Sequence, residues 1–308
     1  MVIDKQSKVI LMDTQPELSI VIPAYNEEEN LRIILPDLLA FAEERNWQVV
    51  ITNDGSRDQT KEVLQGFASS SRLKVVHHKL NKGYGAAIKS AIMACDTEYL
   101  ITIDADGQHR LEDVEKLYRM VRTTDADMIV GSRKGTRSAT RMRAIGKSII
   151  RFTAKLMLTV PVHDINSGMK IYRTELAKRY LHLTPNNMPY SDIITLIFIS
   201  NRHLVLEEPI VVKDRLKGES TIGIQTAFET IMEIVNIIFL FNPMKIFLPI
   251  SIAAFLVSMA WGLPIVLKGN GVSTGALLGF ISSLIFFFLG LIAEQLTLIR
   301  KNQAPPGH

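Results

Sequence analysis

The chain has 308 residues, 47% of them apolar and 21% charged, with a formal net charge of +4. That length accommodates one large or two ordinary domains, and so small a net charge leaves no electrostatic footprint for nucleic acid. The single cysteine, Cys95, excludes an intramolecular disulfide framework and fits a reducing compartment.

Residues 1–16 read as a polar tail with no apolar run long enough for a signal peptide, so the bulk of the chain is expected to stay where it is made. From 17 to 220, short β-rich runs alternate with helical patterns. LSIVI, WQVVIT, LKVVH, YLITI, DMIVG, MKIYR and LVLEEPIVV read as strands, and Asn30 to Arg45, Ala86 to Cys95 and Leu111 to Arg122 as helices. This order predicts an α/β domain built on a mainly parallel sheet flanked by helices, with ligands at the carboxyl ends of the strands. Asn26 and Glu27 follow the first strand, Asp54 the second and the Asp104 cluster the fourth, so the acids gather on one edge.

The segment YLITIDADGQH, Tyr99 to His109, carries the densest chemistry. Read as extended backbone, it places Asp104, Asp106 and Gln108 on one side, because side chains alternate with period two. Three oxygen-bearing groups suit Mg²⁺ or Mn²⁺, which take a few protein oxygens and leave other positions to water and phosphate. An acidic strand-to-turn exit has the same composition. The turn NKGYG, Asn81 to Gly85, lacks the third glycine of a dinucleotide fingerprint and reads as structural. His109 and His163 show no paired ligand spacing and read as hydrogen-bonding or surface residues.

Further along, GSRKGTRSATRMRAIGKSIIRFTAKLML interleaves Arg133, Arg143, Lys147, Arg151 and other cations with Ile145, Ile149, Phe152 and Leu156. Such a basic amphipathic segment reads as membrane-surface, and anionic headgroups are its expected partner. Residues 221–243 carry an apolar stripe through Ile224, Phe228, Ile231, Ile234, Val235 and Ile238, which predicts a juxtamembrane amphipathic helix; a core helix has the same pattern. No charged residue occurs from Ile246 to Leu267 or from Gly269 to Ala293. A transmembrane hairpin over 244–300 follows, with spans at 246–267 and 274–298 and a tail at 301–308. Lys245, Arg300 and Lys301 against a lone Lys268 place both ends in the cytoplasm. Gly271, Gly275 and Gly279 repeat every four residues, a spacing that serves packing inside the hairpin or homo-oligomerisation through it.

As an ordered set, SIVIPAYNEEENL, TNDGSRDQT, NKGYGAA, DADGQH, DINSGMKIYR and DRLKGEST, followed by the hairpin, resemble the inverting family 2 glycosyltransferases with a GT-A, Rossmann-like nucleotide-sugar fold. The last two motifs and the hairpin look like the polyprenyl-phosphate branch, the dolichol-phosphate mannose or glucose synthases and their bacterial relatives. The resemblance implies that Pro23, Tyr25, Glu27, Asp54, Asp104 and Arg215 hold the nucleotide-sugar and that Asp106 and Gln108 hold Mg²⁺ or Mn²⁺. It places Asp104, Asp106, Asp164 and Arg215 at the reacting centre. Arg133, Arg143 and Ser148 are assigned to the acceptor phosphate, where a lipid phosphate drawn from the bilayer needs cations.

The implied reaction is inverting transfer of one sugar, from a GDP-mannose or UDP-glucose type of donor, to a dolichyl or undecaprenyl phosphate at the cytoplasmic membrane face. Two departures bear on it. Thr221 follows Ser220 where the family usually has lysine, and Asp192 in MPYSDII stands where relatives often carry an aromatic followed by Glu or Gln. Asp164 is expected to orient groups and not to abstract a proton, because a phosphate acceptor is already ionised. A processive polysaccharide synthase would add a TED-like base, a QxxRW-like segment and more spans, none of which the sequence contains. A non-catalytic membrane-tethered nucleotide-sugar binder or scaffold would not need the intact Asp104, Asp106 and Arg215.

Overall fold

The protein is described by a computed structural model over residues 15–133, 161–213 and 243–302. Seven strands form one sheet in the order β3-β2-β1-β4-β6-β5-β7. They are β1 (Leu18–Ala24), β2 (Gln48–Asn53), β3 (Leu73–His77), β4 (Tyr99–Thr102), β5 (Met128–Ser132), β6 (Lys170–Arg173) and β7 (Val205–Pro209). All neighbouring pairs are parallel except those of β6, which runs antiparallel to both β4 and β5. The sheet is mainly parallel, as expected, with β6 as the one reversed strand that makes it mixed. Side-chain periodicity, from which the strands were read, is blind to chain direction.

Helices cover both faces. They are α1 (Glu28–Glu44), α2 (Thr60–Gly66), α3 (Tyr84–Met93), α4 (Leu111–Thr124), α5 (Thr174–Tyr180) and α6 (Tyr190–Ser200). Period-two alternation sorts the strand residues between two cores. Ile20, Ile51, Ile101, Ile129 and Ile171 meet Leu31, Leu35 and Leu38 of α1 and Val114, Leu117 and Val121 of α4. Their neighbours Val21, Val50, Leu100, Val130 and Tyr172 meet Ile88 and Ile92 of α3 and Ile194 and Phe198 of α6. With both faces covered, the central strands are apolar throughout, and β1 is buried along its whole length. Burial explains why α6 carries no readable stripe: every residue from Tyr190 to Phe198 is buried, so no polar face marks its period.

Two long helices follow, α7 (Met244–Leu267) and α8 (Thr274–Asn302). The 24 residues of α7 rise about 36 Å, enough for a hydrocarbon core of about 30 Å. In each helix only 17% of the most apolar stretch is buried. Leu256, Val257, Trp261, Leu278 and Phe288 instead face outward. α7 and α8 pack against each other through small residues. Ser251 Oγ donates to the Ser283 carbonyl (2.8 Å), and Ser258 Oγ to that of Ala276. A Cβ on Gly279 would lie 3.2 Å from the Ser258 Cβ, and one on Gly262 would lie 2.6 Å from the Ala276 Cβ. Gly279 is thus engaged inside the hairpin, whereas a Cβ on Gly275 would meet only the Ser273 hydroxyl, at 3.7 Å.

Gly262→Leu is therefore expected to lower the unfolding midpoint in detergent, at an overpacking cost of about 1–3 kcal/mol. Gly275→Leu is expected to leave it unchanged; equal effects from the two variants would refute this packing. The readings for 134–160, with Arg143 and Ser148, for Arg215, and for the juxtamembrane helix up to residue 242 lie outside the described residues.

Candidate active site

The carboxyl ends of β1, β2 and β4 open into a cleft of about 1040 Å³. Pro23, Tyr25, Glu27, Asp54, Asp104, Asp106, Gln108 and Arg133 all line it, as do Tyr84, Gly168 and Asp192. The chain leaves β1 through Asn26 in the left-handed region, φ 56°. The Asn26 side-chain oxygen accepts from the Arg57 amide (2.8 Å). The Glu27 amide donates to Thr60 Oγ1 (2.9 Å), and the Glu28 amide to Asp58 (3.2 Å). The loops after β1 and β2 are latched to each other in this way. The Glu27 carboxylate also accepts from the Asn30 side chain (2.6 Å), and Tyr25 is 40% exposed at the rim.

Asp54 is only 2% exposed, and its role is visible in its partners. It accepts from the Lys82 and Gly83 amides, each at 2.9 Å. His78 Nδ1 lies 2.6 Å from it, while the other ring nitrogen meets Ser90 Oγ at 2.8 Å. The carboxylate therefore anchors the NKGYG turn, whose Gly83 has φ 100° and opens α3. A Cβ on Gly85 would lie 2.4 Å from the Pro185 carbonyl, so only glycine lets this turn close against the 185–187 segment. His78 and the turn were not assigned to the site from sequence; their signal was the glycine spacing, and what it marked was a clamp.

At the centre, β4 ends at Thr102 and Asp104 to Gly107 form a turn, with Gly107 at φ 73°. The expected extended alternation is corrected: Asp104, Asp106 and Gln108 line one cleft because the chain curls. Tyr84 OH donates to Asp104 Oδ1 (2.9 Å), and His109 Nε2 lies 3.4 Å from Oδ2. Burial, reinforced by the Asp104 charge, raises the Tyr84 pKa and keeps the phenol a donor. Burial also lowers the His109 pKa, against the opposing pull of Asp104 and Asp106, and favours a neutral imidazole. Asp106, 8% exposed, accepts from the Gln108 amide at 3.2 Å. The Gln108 side-chain nitrogen donates to the Lys213 carbonyl (3.1 Å), and the Lys213 amide donates back to the Gln108 carbonyl (2.9 Å).

Beyond Asp104 stands the loop of the DINSG motif. Arg133 and Asp164 form a two-pronged ion pair, Nε–Oδ2 2.7 Å and Nη2–Oδ1 2.9 Å, which the Arg133 amide extends at 3.1 Å. The hydrogen bonds to Asp164, outweighing burial, raise the arginine pKa further. Asn166 takes another guanidinium bond at 2.8 Å. His163 sits on Glu207 of β7 (3.0 Å). Gly168 lies so close to Asp104 that a Cβ there would be 2.3 Å from Oδ2.

A Rossmann-like mixed sheet with acids on a turn at its carboxyl edge defines the GT-A class of nucleotide-sugar enzymes. Residues 19–181 match the model for glycosyl transferase family 2, and residues 242–299 match the GtrB C-terminal hairpin. The chain belongs to glycosyl transferase family 2 and is an integral membrane protein anchored by that hairpin.

Among its relatives, a dolichyl-phosphate beta-glucosyltransferase of Trichomonas vaginalis is 32% identical over 176 residues, which cover 52% of this chain and 54% of that protein. The chain thus spans about half the length of that relative. The dodecaprenyl-phosphate galacturonate synthase of Rhizobium johnstonii is 23% identical over 94% of this chain and 90% of its own. Among solved structures, the glucosyl-3-phosphoglycerate synthase of Mycobacterium tuberculosis with UDP shares the fold at TM-score 0.56 and 15% identity, covering 72% of this chain and 79% of that one.

Proposed function

We propose that the protein transfers one sugar, with inversion, from a nucleotide-sugar to a polyprenyl phosphate at the cytoplasmic membrane face. The observation that carries this reading is the union, in one chain, of an acid-edged GT-A cleft with a membrane hairpin of the GtrB type. The relatives named above act on dolichyl or dodecaprenyl phosphate by their names, which is consistent with it.

The donor set fits a hard divalent cation. Asp104, Asp106 and the Gln108 side-chain oxygen would supply oxygen ligands from the turn and the residue that follows it, and the Gln108 nitrogen is taken by Lys213. Among the described residues no three acidic, histidine or cysteine side chains form a ready-made cage. A Mg²⁺ or Mn²⁺ that shares one or two carboxylates with the donor's phosphates needs none. When bound, it would neutralise charge on the departing nucleoside diphosphate as a Lewis acid.

The protein's own groups divide the remaining work. Tyr84 fixes one Asp104 oxygen, and Tyr25 and Glu27, which line the same cleft, would meet the nucleoside. Asp164 is held by the Arg133 fork, which suits it to orientation and not to proton abstraction. That arrangement favours an acceptor needing no base. A phosphate monoester, with a second pKa of about 6, arrives largely ionised at neutral pH.

Full-length protein incubated with Mn²⁺, UDP- and GDP-sugars and polyprenyl phosphate is expected to yield a lipid carrying a single sugar from one of the donors. No lipid-linked product from any donor, or a ladder of products growing on a glycan primer, would overturn the proposal. Replacing Mn²⁺ with EDTA in the same assay is expected to abolish product and its return to restore it.

A further inference from the structure

Lys170 opens β6, paired with Thr102 of β4 and Val130 of β5 directly beneath the cleft. It is 1% exposed, a buried cation for which the reaction outlined above has no use. Met169 and Ile171 on either side point into the core under α1 and α4, so Lys170 points to the opposite face, toward α6. There its ammonium donates to the Ile165 carbonyl (2.7 Å) and to the Ser191 carbonyl. Thr195 Oγ1 reaches the same two carbonyls, at 3.4 and 2.9 Å. Ile165 follows Asp164 in the loop that ends at Gly168, and Ser191 precedes Asp192 in the first turn of α6.

We propose that Lys170 is a positioning residue: by tying the Ile165 carbonyl to the Ser191 carbonyl, with Thr195 as a second strut, it sets the spacing between the two cleft walls that carry Asn166 and Asp192. Stability alone does not account for a cation at this place, because well-packed apolar side chains commonly replace buried charges without loss. The inference rests on the glycosyltransferase reading only where activity is its readout.

Burial lowers the Lys170 pKa to about 7 against the opposing pull of Asp192 and Asp164. The charged groups around it are Asp192 on α6, Asp164 in the DINSG loop, Arg133 after β5, which adds to the lowering, and Asp104 after β4. An unfolded lysine titrates near about 10.4. Between the two values the unfolded chain binds a proton that the folded chain lacks, so this group makes stability rise with pH across that window.

The test compares full-length wild type with Lys170→Met and Thr195→Val in detergent. In Lys170→Met, amide exchange over 161–169 and 190–194 is expected to rise about tenfold, the scale of one lost hydrogen bond, with the strands of the sheet unchanged. kcat is expected to fall about 10²-fold, as for an ångström-scale misplacement, while KM for the nucleotide-sugar stays within about twofold. The rise in melting temperature from about pH 7 to pH 9 is expected to shrink in Lys170→Met and to persist in Thr195→Val, which keeps the lysine. Unchanged exchange in the two segments, or kcat and KM worsening together with exchange throughout the domain, would overturn the proposal. If Lys170→Met does not fold, Thr195→Val decides by the same two exchange windows. A wild type that transfers no sugar would sink the functional reading and leave the exchange result standing.

Discussion

Asp106→Asn is expected to reduce turnover by about 10³-fold, the several kcal/mol that a metal's charge stabilisation provides. The substitution keeps the shape and one oxygen able to accept from the Gln108 amide, so the turn is expected to persist. What it removes is one of two negative charges on the cleft side of that turn, and with it the attraction for a divalent cation. Titration of Mn²⁺ followed by calorimetry is expected to show weakened metal binding in the presence of nucleoside diphosphate, with an unaltered melting profile in its absence. Turnover within tenfold of wild type, with the same Mn²⁺ dependence, would remove Asp106 from the reacting centre.

Gly168→Ala is expected to lower kcat by about 10²-fold without unfolding the domain. The added methyl would sit 2.3 Å from Asp104 Oδ2 and 2.9 Å from its Cγ, closer than atoms can approach. Neither side has an easy retreat. The Gly168 carbonyl accepts from Thr102 Oγ1 at 2.7 Å, and Asp104 Oδ1 is held by Tyr84. The carboxylate must swing away from its place in the cleft. Gly66→Ala is the matched control: a Cβ there meets nothing within 4 Å, and in a helix the change is expected to gain up to about 1 kcal/mol. If Gly168→Ala transferred sugar at the wild-type rate, the close approach of the DINSG loop to Asp104 would have no catalytic meaning.

These two residues show what was legible in the sequence and what was not. The strands were legible because alternate residues feed two cores, and the hairpin because membrane length and charge depletion are properties of composition. Asp104 and Asp106 were recognisable by residue type, yet the extended geometry ascribed to them was wrong, since the curl depends on Gly107 taking positive φ. The Arg133–Asp164 fork joins residues 31 positions apart and could not be inferred from spacing. Lys170 was invisible for a related reason. In MKIYR a lysine reads as the solvent side of a strand, and only the arrival of α6 over that face buries it. Nothing in the spacing of Asp54 told a nucleoside contact from a turn anchor; its amide partners lie 28 and 29 residues away.

The reversed strand β6 also dictates an order of assembly. Because β6 lies between β4 and β5, β5 has no edge to join until residues 170–173 exist, and β7 in turn waits on β5. During synthesis the half-sheet β3-β2-β1-β4 can form early, whereas β5 must remain unpaired while the chain as far as Arg173 is made. β7 then closes the sheet at Pro209, with residues 210–243 still to be added before the first membrane helix begins. At about 5–20 residues per second that interval lasts seconds. Every strand of the sheet can thus be paired before the anchor leaves the ribosome, and only β3 and β7 remain as edges when the domain meets the bilayer.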